Sequence, residues 1–365
     1  MKNLLPPSQE AHEEITISHS SFFIPHLAKH CLLLIIAIIA MTIVNLMIGS
    51  VSIPMSAVCH ILMGGDGNEI WANIIWKSRL PQALTAIMAG AGLAVSGLQM
   101  QTVFRNPLAG PSVLGISNGS ALGVAFVVLL SGRLGGVGLS RLGYLGDAAM
   151  SVAAIIGALA VLSLILWISQ KVEGNVTLLV LGVMIGYLAN AVIGVLKFLS
   201  PEEEVKAFVV WGLGSFSRVS GDDMVLFVVL MSILLPIACL LVKDMNLMLL
   251  GDRYAANLGL DIRLSRMLVI VSSGVLVAIV TAYCGPIMFI GLAVPHLARA
   301  LFRTSDHRIL MPATALCGAL LALLCNFIAR MPGFEGALPV NSVTALVGAP
   351  VIAIVIFRKS VRYHQ

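Results

Sequence analysis

Charged residues are scarce in this sequence. Asp, Glu, Lys and Arg make up only 11 % of the 365 residues, whereas 59 % are hydrophobic and the mean hydropathy is +1.00. A soluble domain of this length needs far more charge to cover its surface. The scarcity excludes a water-soluble globular protein and predicts that lipid surrounds most of the chain.

Other absences exclude further classes of function. No G-x-x-x-x-G-K-[ST] motif occurs, so the chain has no Walker A phosphate loop, and any ATP that drives it is bound by another polypeptide. None of the six cysteines has CxxC spacing, which excludes a typical disulfide or zinc framework. Carboxylates are missing from the apolar runs, which argues against a proton-coupled carrier. We expect no catalytic residue, no metal site and no cofactor bound by this chain.

The apolar residues form ten runs, and helices are the spanning structure that such runs predict, because loop-like backbone cannot face lipid. The runs cover Leu32–Ile48, Ala83–Phe104, Val113–Leu130, Ala149–Ile168, Leu178–Leu199, Val225–Val242, Leu268–Tyr283, Ile287–Phe302, Ile309–Ile328 and Val340–Phe357. Ten spans place both termini on one side of the membrane. Lys and Arg are more frequent on that side, so we predict that both termini are cytoplasmic. The basic residues form no patch, which argues against nucleic-acid binding.

A weak internal repeat relates the two halves of the chain. Arg79-Leu80-Pro81 aligns with Arg263-Leu264-Ser265, and at the same offset Gly90, Ala94 and Pro111 align with Gly274, Ala278 and Pro295. Five spans separate the copies, and an odd number inverts the second copy relative to the first. We therefore predict an all-α integral membrane protein of ten transmembrane helices arranged as two inverted five-helix repeats. Such repeats are typical of transporters.

The fifth run carries Gly182, Gly186, Asn190 and Gly194 at successive steps of four, which places them near one face of a helix. Small residues on one face allow close helix packing in lipid. The same face could form the wall of a transport path, with Asn190 as its polar point. The residues alone favour packing.

The longest predicted cytoplasmic loop covers residues 243–266. It contains a short helix candidate, Asp252–Leu258, which Gly259 ends. Tyr254, Ala255 and Leu258 are predicted to form a small apolar face on this helix. A solvated connector and a docking surface for a cytoplasmic partner are both compatible with this pattern, and the apolar run 247–250 favours docking.

The chain resembles the FecCD-type permease family, which imports iron-siderophores, haem or vitamin B12 with ATP. The resemblance is carried by Arg79-Leu80-Pro81, Gly90 to Gln101, Phe104-Arg105-Asn106-Pro107-Leu108-Ala109, Leu114-Gly115-Ile116-Ser117-Asn118-Gly119, Trp211-Gly212-Leu213-Gly214-Ser215, Gly285-Pro286-Ile287, Phe289 to His296, Asp306-His307-Arg308, Leu338-Pro339 and Gly348-Ala349-Pro350. It implies a homodimer of ten-span subunits, two cytoplasmic ATPase subunits that bind ATP and Mg, and a periplasmic substrate-binding protein. It implies a location in the bacterial cytoplasmic membrane.

The resemblance also implies roles for individual residues. A translocation path would be lined by the fifth and tenth spans and by a short helix that follows the fifth. For the fifth run, this changes the interpretation from packing to path lining. The residues of the path would be Gly182, Gly186, Asn190, Gly194, Trp211, Ser215, Asn341, Ser342 and Thr344. The loop would seat on the ATPase through Gly251, Asp252, Arg253, Ala255, Leu258, Gly259 and Asp261. The binding protein would dock on Lys77, Arg79 and Arg330, whereas Gln82 stands where relatives often carry a second arginine.

These observations lead to one functional prediction and several alternatives. We expect a permease subunit, residues 30–365, that carries an iron chelate (siderophore or haem), preceded by a cytoplasmic tail, residues 1–29. A cobalamin importer is the nearest alternative. An ion-coupled secondary transporter also fits an inverted repeat. A membrane-embedded enzyme would need paired ligands or clustered acids at membrane depth, and the sequence has none.

Overall fold

The computed structural model describes residues 28–49, 51–65, 68–131, 144–172, 174–219, 221–331 and 337–362. Helices account for nearly all of these residues, and no strand occurs among them. Most of the predicted tail, residues 1–27, lies outside the described residues. The all-helical class expected from the sequence is confirmed.

The helices are numbered here in chain order. They are α1 (Ala28–Met47), α2 (Met55–Leu62), α3 (Glu69–Ile74), α4 (Leu80–Val103), α5 (Ile116–Ser131), α6 (Tyr144–Ser169), α7 (Asn175–Leu199), α8 (Glu202–Gly212), α9 (Gly221–Leu240), α10 (Val242–Leu249), α11 (Asp252–Asn257), α12 (Ile262–Cys284), α13 (Ile290–Phe302), α14 (His307–Ala329) and α15 (Val340–Arg362). A π-helical turn, Ile75–Arg79, joins α3 to α4. Each of the ten apolar runs falls mainly within one helix.

Seven helices of the described chain are long and apolar enough to cross a membrane: α1, α3–α4, α6, α7, α9, α12 and α14. Three further apolar helices are shorter, and they cover Ile116–Leu130, Ile290–Phe302 and Val340–Ile354. A span of the hydrocarbon core needs about 20 residues. The chain is therefore a multi-pass membrane protein.

Helix α4 forms the centre of the packing. It contacts α9, α12, α13 and α14, and nearly all of its residues are buried. Its sequence explains this position, because alanine and glycine predominate on its surface and let neighbouring backbones approach. A Cβ atom on Gly90 would lie 2.3 Å from the carbonyl oxygen of Gly318 in α14, so these two helices touch through their backbones.

Several polar side chains in the spans form hydrogen bonds across helix interfaces. The hydroxyls of Ser96 and Ser273 lie 2.6 Å apart, and Gln99 donates to the Ser272 hydroxyl at 2.9 Å, which joins α4 to α12. Asn326 of α14 donates to Asn45 of α1 at 2.9 Å. Such bonds fix which helix faces meet, because an unpaired polar group in an apolar interior is costly.

Candidate functional site

The glycine stripe on α7 divides into a packed half and an open half. A Cβ on Gly182 would lie 2.9 Å from Cα of Leu114, and one on Gly186 would lie 2.6 Å from Nδ2 of Asn118. Asn190 and Gly194 are exposed, and a Cβ on Gly194 would meet no atom within 4 Å. Each step of four residues rotates the helix by about 40°. The stripe therefore drifts from the packed face to the open face.

This drift changes the predicted path lining. Gly182 and Gly186 face the turn Pro111–Leu114 and the start of α5, where they permit close packing. In the subunit described, only Asn190 and Gly194 of the stripe are open to an approaching molecule.

A second group of candidate residues meets where α8, α12 and α15 end or begin. The Ser215 amide donates to the Cys284 carbonyl at 2.8 Å, and the Asn341 amide donates to the Leu213 carbonyl at 3.2 Å. The Asn341 side chain accepts from the Met288 amide at 3.1 Å. Three segments that are distant in sequence are therefore held together by backbone groups.

The remaining candidates of this junction differ in exposure. Trp211 is buried, and Thr344 is buried with its hydroxyl donating to the Asn341 carbonyl at 2.9 Å. Ser342 is exposed. The sequence marked Trp211, Ser215 and Asn341 but missed Met288 and Cys284, although the helix break at Gly285 was a usable signal.

Gly285 is required at the junction by its conformation and its surroundings. Its φ angle is 76°, and a Cβ there would lie 2.6 Å from the Trp211 carbonyl oxygen. Only glycine adopts this conformation without a steric penalty. The end of α12 is thereby brought directly against the end of α8.

The predicted coupling loop forms two short helices, α10 and α11. Gly251 begins α11 at φ 102° and Gly259 follows it at φ 85°, while Asp261 caps α12 by accepting from the Leu264 amide at 3.0 Å. Arg253 is exposed, as is Leu258 at 61 %.

The predicted apolar face on α11 is wrong in one respect. Ala255 is fully buried, whereas Tyr254 and Leu258 point outward. A larger side chain at Ala255 would therefore test the packing of α11 and not its outer surface. Arg253, Tyr254 and Leu258 belong to the exposed surface of this segment, together with Ala256, Asn257 and Gly259.

Asp252 is held by two arginines from separate parts of the chain. Arg105, after α4, contacts it at 2.5 Å and also donates to the Met248 carbonyl at 3.2 Å, and Arg266 of α12 lies at 3.5 Å. Both Arg105 and Asp252 are more than a third exposed, so the pair contributes at most about 1 kcal/mol. Its effect is to orient α11, and the sequence did not indicate these partners.

Arg79 is almost fully buried, at 1 % exposure. Its guanidinium donates to the carbonyls of Leu46 at 2.6 Å and Met47 at 2.9 Å, and also to the Val51 carbonyl. The Leu46 and Met47 carbonyls lie in the last turn of α1 and have no partner within the helix, and the Val51 carbonyl lies just after it. Arg79 does not present an exposed charge, which corrects the expectation that it is a docking residue.

The other two predicted docking residues are more accessible. Lys77 is exposed and Arg330 is half-buried. A Cβ on Gly49 would lie 3.0 Å from a terminal nitrogen of both Arg79 and Arg330, so the two guanidiniums converge there. Burial and the charge of Arg79 lower the pKa of Arg330.

We expect Arg79→Gln to destabilise the isolated subunit by about 2 kcal/mol, because buried carbonyls would lose their donor. Thermal unfolding of the purified subunit, without any other protein, measures this. Lys77→Gln is the matched control, since Lys77 is exposed and its loss should leave the unfolding midpoint unchanged. Equal midpoints for both variants would refute the structural role of Arg79.

The multi-pass helices and the open polar positions on α7 and α15 suit a membrane transport protein. No group of three or more His, Cys, Asp or Glu side chains that could hold a metal occurs in the described part of the chain. The exposed candidate residues are Asn190, Ser342 and Gly194, which supply an amide, a hydroxyl and glycine backbone. These groups suit the non-covalent passage of a solute through a helical assembly.

The chain belongs to the FecCD transport family, whose profile matches residues 34–358. It is 34 % identical to the hemin transport system permease protein HmuU of Yersinia pestis over 92 % of this chain and 96 % of that protein. It is 37 % identical to the vitamin B12 import system permease protein BtuC of Klebsiella pneumoniae, over 78 % and 82 % of the two chains. The protein is therefore a transport permease subunit and not a catalytic enzyme.

A solved structure supports the same assignment. A metal-chelate type ABC transporter in an inward-facing conformation has a TM-score of 0.79 and 30 % identity, and the alignment covers 91 % of this chain and 99 % of that one. The similarity extends over nearly the whole fold.

Proposed function

We propose that this chain is the permease of an ATP-binding-cassette importer and that it carries an iron chelate, either haem or a siderophore. The observation that carries the proposal is the similarity to the haem permease over 92 % of the chain. Cobalamin is the second candidate cargo, because the B12 permeases are similar at comparable identity over a shorter region.

The proposed topology has ten spans in two inverted five-helix repeats. The seven long apolar helices and the three shorter ones, α5, α13 and α15, together make the ten proposed spans. The packing supports the repeat, because the contacts between helices occur in corresponding pairs. The contact of α4 with α14 corresponds to that of α12 with α6. Likewise, the contacts of α5 with α6 and with α7 correspond to those of α13 with α14 and with α15.

We place the protein in the bacterial cytoplasmic membrane with both termini in the cytoplasm. The excess of Lys and Arg on that side supports this orientation. The loop that contains α10 and α11 then faces the cytoplasm, where an ATPase is accessible.

The proposed transport path lies between two copies of the chain. Asn190 and Gly194 of α7 are exposed on the surface of the single subunit, and so is Ser342 of α15. A path lined by these residues needs a second surface opposite them, which a homodimer supplies. The glycine leaves space for a bulky chelate, and the amide and hydroxyl contact it without strong binding.

Two cytoplasmic ATPase subunits, which bind ATP and Mg, would drive the transport. Arg253 and Tyr254 of α11 and Leu258, which follows it, are part of the exposed surface on which an ATPase could seat. A substrate-binding protein on the opposite side would dock near the exposed Lys77 and the half-buried Arg330, whose charges would set orientation and association rate.

Reconstitution tests the proposed function directly. The permease is placed in vesicles with its partner ATPase and a binding protein, and uptake of haem, a ferric siderophore and cyanocobalamin is compared. We expect ATP-dependent uptake of an iron chelate. Uptake that requires an ion gradient and no ATP would establish a secondary transporter instead.

We expect Arg253→Glu to lower ATP-driven uptake about tenfold, because reversing an exposed charge at the centre of a docking surface removes an anchor of the partner. Co-purification of the ATPase with the permease reports the loss of docking. Arg263→Glu is the matched control, since Arg263 is also exposed but begins α12. If both variants retain uptake and ATPase binding, the ATPase docks elsewhere.

A further inference from the structure

A hydrogen-bonded joint connects α10 with the two helices at the core of the bundle. Asn246 of α10 accepts from the His307 amide at 2.9 Å and from Nδ1 of His307 at 2.8 Å. The other ring nitrogen, Nε2, lies 2.8 Å from the Thr102 hydroxyl at the end of α4. His307 begins α14, so three helices meet at one imidazole.

The orientation of Asn246 fixes the tautomer of His307. The Asn246 amide nitrogen donates to Asp306 at 2.7 Å, so its oxygen must face the His307 amide. Nδ1 of His307 then carries a hydrogen, because it faces the same oxygen. In the neutral ring, Nε2 is left as an acceptor. The single hydrogen of the Thr102 hydroxyl is therefore shared between Nε2, at 2.8 Å, and the Leu98 carbonyl, at 2.9 Å.

The carboxylate of Asp306 anchors this arrangement. It accepts from the Arg308 amide at 2.9 Å and thereby caps α14. The Arg308 amide bond and the Asn246 side chain lower the pKa of Asp306, so the carboxylate stays charged at neutral pH. Asn246 is therefore held by a charged acceptor on one side and by two donors of His307 on the other.

The position of the joint gives it a mechanical consequence. Through the chain, α10 is continuous with α9, which is a peripheral helix with only 17 % of its span buried. The joint instead links α10 laterally to α4, whose span is 83 % buried, and to α14. Met245 and Met248 pack on the same side. A cavity of about 290 Å³, lined in part by Thr102, Leu249 and His307, borders the joint.

We propose that Asn246 and His307 are positioning residues that transmit a displacement of α10 and α11 to α4 and α14. Thr102 is the residue of α4 that His307 contacts in this route. The proposal rests on the proposed ATP-driven function. It specifies the route by which movement of the cytoplasmic segment reaches the most buried helix of the permease.

The experiment compares threonine variants in vesicles that contain the whole complex. Thr102→Val keeps the shape of the side chain and removes the hydroxyl, and Thr102→Ser keeps the hydroxyl. We expect Thr102→Val to lower the uptake per ATP hydrolysed at least about fivefold while hydrolysis continues, and Thr102→Ser to restore it. Should Thr102→Val not accumulate, Asn246→Ala is measured with the same expectation.

The controls are two buried threonines in the same helices. Thr85 of α4 and Thr314 of α14 have hydroxyls without a hydrogen-bond partner among the described residues, so Thr85→Val and Thr314→Val should leave the ratio unchanged. An unchanged ratio in Thr102→Val, with or without a lower unfolding temperature, would overturn the inference. If the unmodified complex shows no ATP-driven uptake, it is the proposed function that fails.

Discussion

Gly97→Ala is expected to prevent the permease from folding. The Cβ atom of alanine would lie 1.7 Å from the carbonyl oxygen of Gly291 in α13, and 2.5 Å from its carbonyl carbon. Both contacts are with backbone, which cannot rotate away as a side chain can. We expect a loss of more than about 3 kcal/mol, because relief would require α4 and α13 to separate along the centre of the bundle. The amount of monodisperse protein after extraction into detergent measures this.

The matched control is Gly194→Ala, a substitution of the same size in another apolar helix. A Cβ at Gly194 meets no atom within 4 Å, so this variant should accumulate normally. Equal recovery of the two variants would mean that α4 and α13 do not pack as described here.

Tryptophan at Asn190 or Gly194 is expected to reduce ATP-driven uptake to background while the subunit still folds. Both positions are exposed in the single subunit, and a Cβ at Gly194 meets no atom within 4 Å, so we expect the subunit to accommodate the added ring. In the proposed dimer the ring would project into the path and exclude a bulky chelate. Uptake into vesicles measures the block, and size-exclusion chromatography shows that the dimer still forms. Gly186→Trp is unsuitable, because its Cβ would meet Asn118.

Leu188→Trp is the control for this prediction. Leu188 is 68 % exposed on the opposite flank of α7, where an added ring would face lipid. This variant should transport normally. A path along Asn190 would be refuted by normal uptake in Asn190→Trp and Gly194→Trp, and the interpretation of this stripe as a packing surface would be restored.

The sequence predicted the helices well because each apolar run is nearly continuous. Lipid selects for length and apolarity, and these properties can be counted along the chain. All ten runs fall in helices, including the short run that contains Pro295 and His296. The offset repeat stays a prediction, because its evidence in sequence is only a few identities.

The candidate residues were harder to predict, since their roles depend on neighbours that are distant in the chain. The neighbouring sequence does not distinguish Arg79, which is buried against the end of α1, from Lys77, which is exposed. The equal spacing of the α7 stripe concealed a rotation of about 40° at each step. Ala255 was predicted to share an apolar face with Tyr254 and Leu258, because the sequence of α11 alone does not reveal which side of the helix is buried.

The partners of Arg79 bear on the order in which the protein is made. All three carbonyl acceptors lie within 33 residues before it, so the donor and its acceptors leave the ribosome close together. An arginine that enters an apolar environment before it is paired is costly. We therefore expect the first and second spans to join as a hairpin early in biosynthesis, before the second half of the chain has been translated.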